Sequence, residues 1–355
     1  MKTFVIAEAG VNHNGCMEKA KRLIDAAADA GADAVKFQTF RTAHLVARHA
    51  PKAAYQKHTT DPDESQFDMI RKLELDEASH EALIAHAMSC GVEFLSTPFD
   101  TPSLHLLTRK FGISTVKLSS GDITNAPFLL DVGRAAKRII MSTGMSTLAD
   151  IEAALGVLAF GITCPADVTP GRDVFAAAFA SDVGQHALRH QVALLHCTTE
   201  YPAPFGEVNL RAMDTMASAF GLTVGYSDHT PGIHVAIAAA ARGAAIIEKH
   251  FTLDRTLPGP DHQASLEPSE LKAMVAAIRD IELVFGDGVK RPTASESKNR
   301  AIARKSLVAA RALAAGEALE LACKRPGSGL SPFDFWHLSG RPALRDYAAD
   351  EVLDD

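Results

Sequence analysis

Eight short apolar runs alternate along the chain with Ala- and Leu-rich segments of helical spacing, and this alternation constrains the fold more than any other feature. Strands that are separated by helices pair in parallel through right-handed crossovers. Eight such units favour an α/β fold of the closed (β/α)8 TIM-barrel type over an open doubly wound sheet, and no G-x-G-x-x-G motif follows the first run. The predicted strands are 4–9, 34–39, 93–97, 115–120, 138–143, 192–198, 223–228 and 246–251.

Glycines mark the joints between the predicted helices and the strands that follow them. A helix C-cap favours a positive φ, which glycine adopts without the steric cost that other residues meet. We therefore expect helices to end at the glycines that stand just before predicted strands, at positions 31, 91, 112, 221 and 243. The clearest predicted helices are 17–30, 78–90, 148–160 and 268–285.

The chain is longer than one barrel requires, since it has 355 residues and a barrel takes roughly 250. After Gly286 a polar segment leads into short β-like runs. We predict a barrel domain at 1–286, a linker at 287–300 and a small β-rich domain at 301–355. A domain of that size is marginal alone, so we expect it to dock on the barrel or on another subunit.

Two stretches interrupt the alternation of strands and helices. Residues 41–77 form a long polar loop, and loops of this length are often active-site lids. Residues 161–189 contain a Pro- and Gly-bearing insertion, which we interpret as a peripheral excursion with no assigned role. The polar residues of the predicted lid are Tyr55, His58, Thr59, Thr60 and Asp61.

Composition excludes several classes of protein. The net charge of −7 argues against a nucleic-acid partner, which usually binds a basic face. No uninterrupted apolar stretch reaches the roughly 18 residues that a membrane span requires. The five cysteines form no C-x-x-C pair, and no cationic leader precedes the first strand. We therefore expect free thiols and a cytoplasmic protein without a membrane partner.

Polar residues concentrate at the C-terminal ends of the predicted strands, where barrel enzymes carry their chemistry. Lysines and short hydroxyl side chains at such a mouth can bind a phosphate or a carboxylate through charge and hydrogen bonds. For either lysine alone, a snorkelling side chain or a buried ion pair is the better explanation. Two lysines together with several hydroxyls favour anion binding. The candidate anion ligands are Lys36, Thr97, Lys117, Ser120, Thr143 and Ser227.

Two histidines end the seventh and eighth predicted strands, which are neighbours in a closed barrel. By the period of two along a strand, Glu248 shares a face with His250 while Lys249 points the other way. Two imidazoles with carboxylates nearby suit a divalent metal such as Mn²⁺, Co²⁺, Fe²⁺ or Zn²⁺. The alternative is that His229 and His250 are structural histidines held by hydrogen bonds.

A carboxylate, Glu8, leaves the first strand at the same mouth. It could orient a metal-bound water or act as a general base. The alternative is an ion pair with Lys36 on the adjacent strand, and the spacing alone does not separate the two.

Many segments of the chain resemble the sialic acid (nonulosonic acid) synthase family. The motifs occur in the order of that family and cover nearly the whole chain. The tail resembles the antifreeze-like (SAF) domain that the family carries, in ARKSLVAARALAAGEAL at 303–319 and KRPGSG at 324–329. The barrel motifs are IAEAGVNHNG at 6–15, KFQTF at 36–40, LSTPFD at 95–100, VKLSSGDITN at 116–125, STGM at 142–145, LLHCTTEYPAP at 194–204, GYSDHT at 225–230, EKHFT at 248–252 and PGPDH at 258–262.

The resemblance implies a transferase that condenses phosphoenolpyruvate with an N-acylated mannosamine-type sugar. It implies a divalent metal, Mn²⁺ first with Mg²⁺ or Co²⁺ as alternatives, bound by His229 and His250. It implies Glu8 and His250 as catalytic residues and the six anion ligands named above as the phosphoenolpyruvate site. The implied sugar-facing residues are Gln38, Asp122, Tyr201, Asp261 and Arg325.

The resemblance also implies a homodimer in which the domains are swapped. Arg325 of the SAF domain would then reach into the active site of the partner. Two positions depart from many N-acetylneuraminate synthases, which have Glu where this chain has Asp122 and Asn where it has Thr199. The surrounding segments resemble more closely the synthases that make N,N'-diacetyllegionaminate from 2,4-diacetamido-2,4,6-trideoxymannose, so both sugars remain candidates.

Three other functions compete with this one. Another phosphoenolpyruvate-dependent synthase, making a 2-keto-3-deoxy sugar acid from a phosphorylated sugar, would generally lack the SAF tail. A silent carbohydrate-binding barrel would have lost Glu8, Lys36, His229 or His250, which are all present. A metal-dependent hydrolase barrel would usually have an H-x-H pair on an early strand, and the first strand has none.

Overall fold

The structure, a computed structural model, describes residues 2–52 and 64–353 of the chain. The described chain divides into two compact units, residues 1–285 and residues 286–355. The polar residues of the predicted lid, at 55 and 58–61, lie outside the described residues.

The first unit contains eight parallel strands in a nearly closed barrel, which confirms the predicted TIM-barrel fold. The hydrogen-bonded order runs β3-β2-β1-β8-β7-β6-β5-β4, and β3 lies beside β4 to complete the ring. The predicted strand bounds agree with the structure within two residues. The strands are β1 Phe4–Gly10, β2 Ala34–Thr39, β3 Glu93–Pro98, β4 Thr115–Leu118, β5 Arg138–Ser142, β6 Val192–Cys197, β7 Thr223–Asp228 and β8 Ile246–His250.

Helices follow the strands and cover the outside of the barrel. Gly91 and Gly221 cap two of them at φ values of 72° and 62°, as a helix that turns directly into a strand requires. Within the part of the chain that the structure describes, no helix combines the length and the apolar character of a membrane span. The helices are α1 Met17–Asp29, α2 Thr42–Leu45, α3 Gln66–Arg71, α4 Glu77–Cys90, α5 Thr101–His105, α6 Ala126–Ala135, α7 Leu148–Thr163, α8 Arg172–Ala180, α9 Asp182–Gln191, α10 Ala212–Phe220, α11 His234–Ala241 and α12 Pro268–Val284.

The interior of the barrel is layered. One layer is apolar and packs side chains from six strands into a plug, namely Ile6, Ala34, Leu95, Ile140, Leu195 and Ile246. Side chains on a strand return to the same face every second residue. The next inward-facing position on each of these strands is therefore two residues closer to the mouth. Those positions hold Glu8, Lys36, Thr97, Ser142, Cys197 and Glu248, so a polar layer lies directly on the apolar plug.

The insertion at 161–189 is largely helical. Helix α7 continues to Thr163, and α8 and α9 then pack beside it. The rings of Phe160 and Phe175 meet edge to face at 5.2 Å between centroids. Because α8 and α9 cover α7, both the outer face of α7 and its face toward the barrel are apolar and buried.

The second unit is small and has its own core. Strands β9 Ser306–Ala309 and β10 Leu321–Lys324 pair antiparallel, and a short helix, α14 Phe335–Leu338, follows. Helix α13, Ala294–Ala303, begins with a capping box and covers the later part of the predicted linker. The buried core consists of Leu307, Ala309, Leu313, Leu319, Ala343, Tyr347 and Leu353.

Candidate active site

Two lysines and two glutamates meet in the polar layer of the barrel. Lys36 Nζ lies 2.7 Å from Glu8 Oε2 and 3.7 Å from Glu248 Oε2. Lys117 Nζ lies 3.5 Å from Glu248 Oε1. Each of the four side chains is at most 5% exposed, so these charges are shielded from bulk solvent. Glu248 is shared between the two lysines and forms the centre of the cluster.

Hydroxyl groups from three strands complete this cluster. Lys36 donates to Thr97 Oγ1 at 2.9 Å, and Lys117 donates to Ser142 Oγ at 2.7 Å. Ser227 donates to Glu248 Oε1 at 3.0 Å. The predicted anion ligands Lys36, Thr97, Lys117 and Ser227 are thus brought together in one network.

The four charged groups differ in how readily they ionise. Burial would raise the pKa of Glu248, but Lys117 and Lys36 outweigh it and lower that pKa to about 2. Burial raises the pKa of Glu8, and the neighbouring charge of Glu248 adds to the rise, while Lys36 opposes it. Glu248 therefore stays ionised and Glu8 is the carboxylate that can exchange a proton.

The lysines respond in opposite directions. Burial would lower the pKa of Lys36, but Glu248 and Glu8 outweigh it and raise that pKa. Burial lowers the pKa of Lys117, with only partial compensation from Glu248. Glu248 is shared between the two lysines, so an anion that enters this mouth can interact with both ammonium groups.

Two of the predicted anion ligands are placed differently. The hydroxyl of Thr143 donates to the carbonyl of Leu195 at 2.9 Å, on the outer side of the strand. Ser142, one residue earlier, points inward and contacts Lys117 instead. Ser120 accepts from the Gly144 amide at 2.9 Å and lies 3.1 Å from Cys197 Sγ, so it lines the mouth beside the lysine cluster without contacting it.

The two predicted metal ligands lie side by side at the same mouth. The ring centroids of His229 and His250 are 5.5 Å apart. Imidazoles that share a tetrahedral ion through nitrogens at roughly 2.1 Å have centroids roughly 5–6 Å apart. Tyr201 packs on both rings, at 4.2 Å and 5.6 Å between centroids.

The protonation of these histidines suits a cation. Burial lowers the pKa of His229 and lowers that of His250 well below its usual range, so both rings are neutral and each has a nitrogen lone pair. The Nδ1–H of His229 donates to the Thr198 carbonyl at 2.7 Å, which leaves Nε2 as its lone-pair atom. His250 Nδ1 is buried without a hydrogen-bond partner among the described residues. The pair therefore fits a divalent metal.

Two of the predicted sugar-facing residues of the barrel lie near the lysine and glutamate cluster, since Gln38 contacts Glu8 and Asp261 interacts with Lys36. Gln38 Nε2 donates to Glu8 Oε1 at 3.5 Å. Burial raises the pKa of Asp261 to about 6, against the lowering effect of Lys36. Burial also raises the pKa of Asp122, which accepts from the Ser119 hydroxyl at 3.0 Å. The sugar-facing role of these residues remains a prediction.

Arg325 belongs to the second unit. It lies just after β10, is exposed, and donates from Nε to the Ala303 carbonyl at 2.9 Å. Its sugar-facing role remains a prediction.

Sequence reasoning did not assign an ion pair behind the histidines. Lys249 Nζ lies 2.9 Å from Asp228 Oδ2, and both side chains are 0% exposed. Asp228 Oδ1 also accepts from the backbone amide and the hydroxyl of Thr230, at 2.9 Å and 2.7 Å. Each member of the pair directly precedes one of the histidines. The pair thus joins β7 to β8 on the outer face of the barrel wall.

Comparison with known proteins identifies the family. The NeuB family model matches residues 23–290. The chain is 49% identical over 355 residues to the N,N'-diacetyllegionaminic acid synthase of Campylobacter jejuni subsp. jejuni serotype O:2, covering 99% of each chain. It is 42% identical to the enzyme of the same name from Legionella pneumophila subsp. pneumophila, covering 99% of this chain and 94% of that one.

A solved structure agrees with the sequence comparison. The N-acetylneuraminic acid synthetase of Leptospira borgpetersenii serovar Hardjo-bovis, solved with citrate, superposes with a TM-score of 0.66 at 31% identity, covering 84% of this chain and 90% of that one. The chain therefore belongs to the NeuB family, the sialic acid (nonulosonic acid) synthase family that its motifs indicated.

Proposed function

We propose that this protein condenses phosphoenolpyruvate with an N-acylated amino sugar, forming a nonulosonic acid and phosphate. The observation that carries the proposal is the buried Lys36–Glu8–Glu248–Lys117 cluster beside two neutral histidines. Membership of the NeuB family supports the same reaction.

Lys36 and Lys117 would hold the phosphoenolpyruvate anion. Both ammonium groups already lie between hydroxyls and carboxylates, so an incoming phosphate or carboxylate replaces contacts that the cluster makes to its own glutamates. Thr97, Ser142 and Ser227 would supply short donors to the same ligand. Ser120 and Thr143 remain predicted ligands of phosphoenolpyruvate, and Ser142 is added to them because its hydroxyl contacts Lys117.

Glu8 would act as the acid/base group. The enol carbon of phosphoenolpyruvate attacks the aldehyde carbon of the open-chain sugar, a carbon–carbon bond forms, and the aldehyde oxygen takes a proton from solvent. Water then adds to the resulting oxocarbenium carbon and gives one proton to Glu8, which later returns it to solvent. The carbon–oxygen bond to phosphate breaks, the new hydroxyl gives its proton to the leaving phosphate, and the keto group forms. The raised pKa of Glu8 suits a group that both takes up and releases a proton near neutral pH.

His229 and His250 would hold the divalent metal, Mn²⁺ by prediction. When bound there, the metal supplies Lewis-acid polarisation of the sugar aldehyde. The Thr198 carbonyl orients the ring of His229, and Tyr201 packs against both rings and keeps bulk water away from them.

The favoured sugar is 2,4-diacetamido-2,4,6-trideoxymannose, with N,N'-diacetyllegionaminate as product. The two relatives with the printed name N,N'-diacetyllegionaminic acid synthase support this choice over N-acetylmannosamine. Asp122 is one methylene shorter than the Glu of many N-acetylneuraminate synthases, which leaves more room in the pocket wall. Gln38, Tyr201 and Asp261 would contact the sugar.

The assembly and the cellular location stay predictions. The homodimer would bring Arg325 of each SAF domain to the active site of its partner. The five cysteines are free thiols in the structure, in keeping with a reducing cytoplasm.

A substrate panel tests the proposal. Phosphate release from phosphoenolpyruvate is measured with N-acetylmannosamine, with its 6-phosphate and with the 2,4-diacetamido sugar, each in Mn²⁺ and in chelator. We expect the 2,4-diacetamido sugar to give the highest kcat/KM and chelation to abolish release. Equal or greater activity with the 6-phosphate would refute the proposed sugar, and release without any sugar would refute condensation.

A further inference from the structure

Three metal-binding side chains meet on the outside of the barrel. Asp25 lies on α1, and His86 and Cys90 lie on α4. Because His86 and Cys90 are four residues apart on a helix, they share one face. Their ligand atoms and that of Asp25 all lie within 4.8 Å of one another, a grouping of three that is found nowhere else in residues 2–52 and 64–353.

The contacts within this group already approach those of a metal site. His86 Nε2 lies 2.7 Å from Asp25 Oδ1, and Cys90 Sγ lies 3.5 Å from the same oxygen. Ligands of a tetrahedral ion with bonds of 2.0–2.3 Å stand roughly 3.3–3.7 Å apart. The Cys90–Asp25 contact has that spacing, and the His86–Asp25 contact reaches it if the exposed carboxylate moves by roughly half an ångström.

We propose that Asp25, His86 and Cys90 form a Zn²⁺ site. A set of one thiolate, one imidazole and one carboxylate is typical of zinc and of its analogue Co²⁺, whereas Mg²⁺ and Ca²⁺ prefer oxygen alone. On binding, the thiol of Cys90 releases its proton to solvent and a sulfur–zinc bond forms. The half-exposed position leaves the fourth coordination place to water.

In the structure the Cys90 thiol donates a hydrogen bond to Asp25 Oδ1. The thiol must release this proton before its sulfur can bind the ion, so Zn²⁺ binding should release a proton.

The site would act separately from the barrel mouth. Cys90 is the last residue of α4 and stands just before β3, whereas Thr97 and Pro98 end that strand at the mouth. Five residues of strand span roughly 16 Å. An ion at this position would tie α1 to α4 on the outside of the barrel, so we infer a stabilising role that does not depend on the proposed reaction.

Cobalt absorption tests the proposal on the full chain after its metals have been removed. Co²⁺ bound by a thiolate gives a sulfur-to-cobalt charge-transfer band in the near ultraviolet, which histidine and carboxylate ligands do not give. We expect the band in the unmodified protein and in His229→Ala/His250→Ala, where the proposed mouth ligands are missing. We expect Cys90→Ser to lose it and Cys164→Ser, another half-buried cysteine, to keep it.

Zinc competition supplies the affinity. Zn²⁺ should displace Co²⁺ and remove the band, and Asp25→Asn should weaken Zn²⁺ binding at least about tenfold. Absence of the band in the correctly folded, unmodified protein would overturn the proposal. Persistence of the same band in Cys90→Ser would overturn it as well, because the thiolate would then come from another cysteine.

Discussion

The buried ion pair between Asp228 and Lys249 offers the sharpest test of the packing. Both side chains are fully buried and their charged atoms are 2.9 Å apart. Burial lowers the pKa of Lys249, and Asp228 opposes that shift. Lys249→Met keeps the apolar stem of the side chain but removes its ammonium group, so the Asp228 carboxylate stays buried with the donors of Thr230 and without its cation.

We expect Lys249→Met to lower the free energy of unfolding by about 3–5 kcal/mol, since removing one partner strands a buried charge. Asp228→Asn should cost about as much, because it strands the ammonium. The double variant removes both charges and should cost less than the two single variants added together, by about 2 kcal/mol. Arg242→Met is the matched control, since its partner Asp214 is largely exposed and such pairs contribute about 1 kcal/mol or less.

Urea unfolding followed by far-ultraviolet circular dichroism reports mainly the barrel helices. We expect the unfolding midpoint to fall in Lys249→Met and to stay near that of the unmodified protein in Arg242→Met. A loss below about 1 kcal/mol, or single-variant costs that simply add in the double variant, would refute the stranded-charge reasoning.

Three further predictions concern activity. His229→Ala and His250→Ala should each abolish metal-dependent phosphate release while the circular dichroism spectrum stays native, and full activity in chelated buffer would remove the metal assignment. Burial raises the pKa of Glu8 to about 7, so kcat/KM should rise with pH through that region as the base ionises. Glu8→Gln should lose most turnover and also this rise. A pH profile of Glu8→Gln with the same rise as the unmodified enzyme would exclude Glu8 as the base. Arg325→Ala should raise the KM for the sugar more than that for phosphoenolpyruvate, and equal losses would count against its sugar-facing role.

Most of the barrel was predictable because its signals are local. The apolar runs set the strands, and a positive φ at Gly91 and Gly221 follows from the immediate turn of a helix into a strand. The insertion was less predictable. Helix α8 is stabilised by packing of Phe175 on Phe160, and a contact between different helices leaves little periodic signal in one segment.

The candidate site could be predicted only as far as it was known which residues of each strand face the interior of the barrel. Thr143 and Ser142 are adjacent hydroxyl residues, and the apolar plug residue Ile140 determines that Ser142 is the inward one. Residue types alone do not tell which of the two hydroxyl residues faces inward. Glu248 was placed on the face of His250 by the period of two, but its position between two lysines depends on strands far apart in sequence.

Side-chain contacts between different secondary-structure elements could not be predicted from the sequence for the same reason. Asp228 and Lys249 lie 21 residues apart, and Cys90 lies 65 residues from Asp25. Only the parallel register of the strands and the packing of α1 on α4 bring them into contact. The two residues of such a contact have no fixed separation in sequence, so no motif indicates the contact.

The central claim is that the barrel mouth joins phosphoenolpyruvate to an amino sugar with cleavage of the carbon–oxygen bond. One measurement tests it directly: phosphoenolpyruvate carrying oxygen-18 at the bridging position is incubated with the full chain, Mn²⁺ and the 2,4-diacetamido sugar, and the released phosphate is analysed by mass spectrometry. We expect sugar-dependent release of phosphate that retains the label, together with the nonulosonic acid. Unlabelled phosphate accompanied by pyruvate would contradict it.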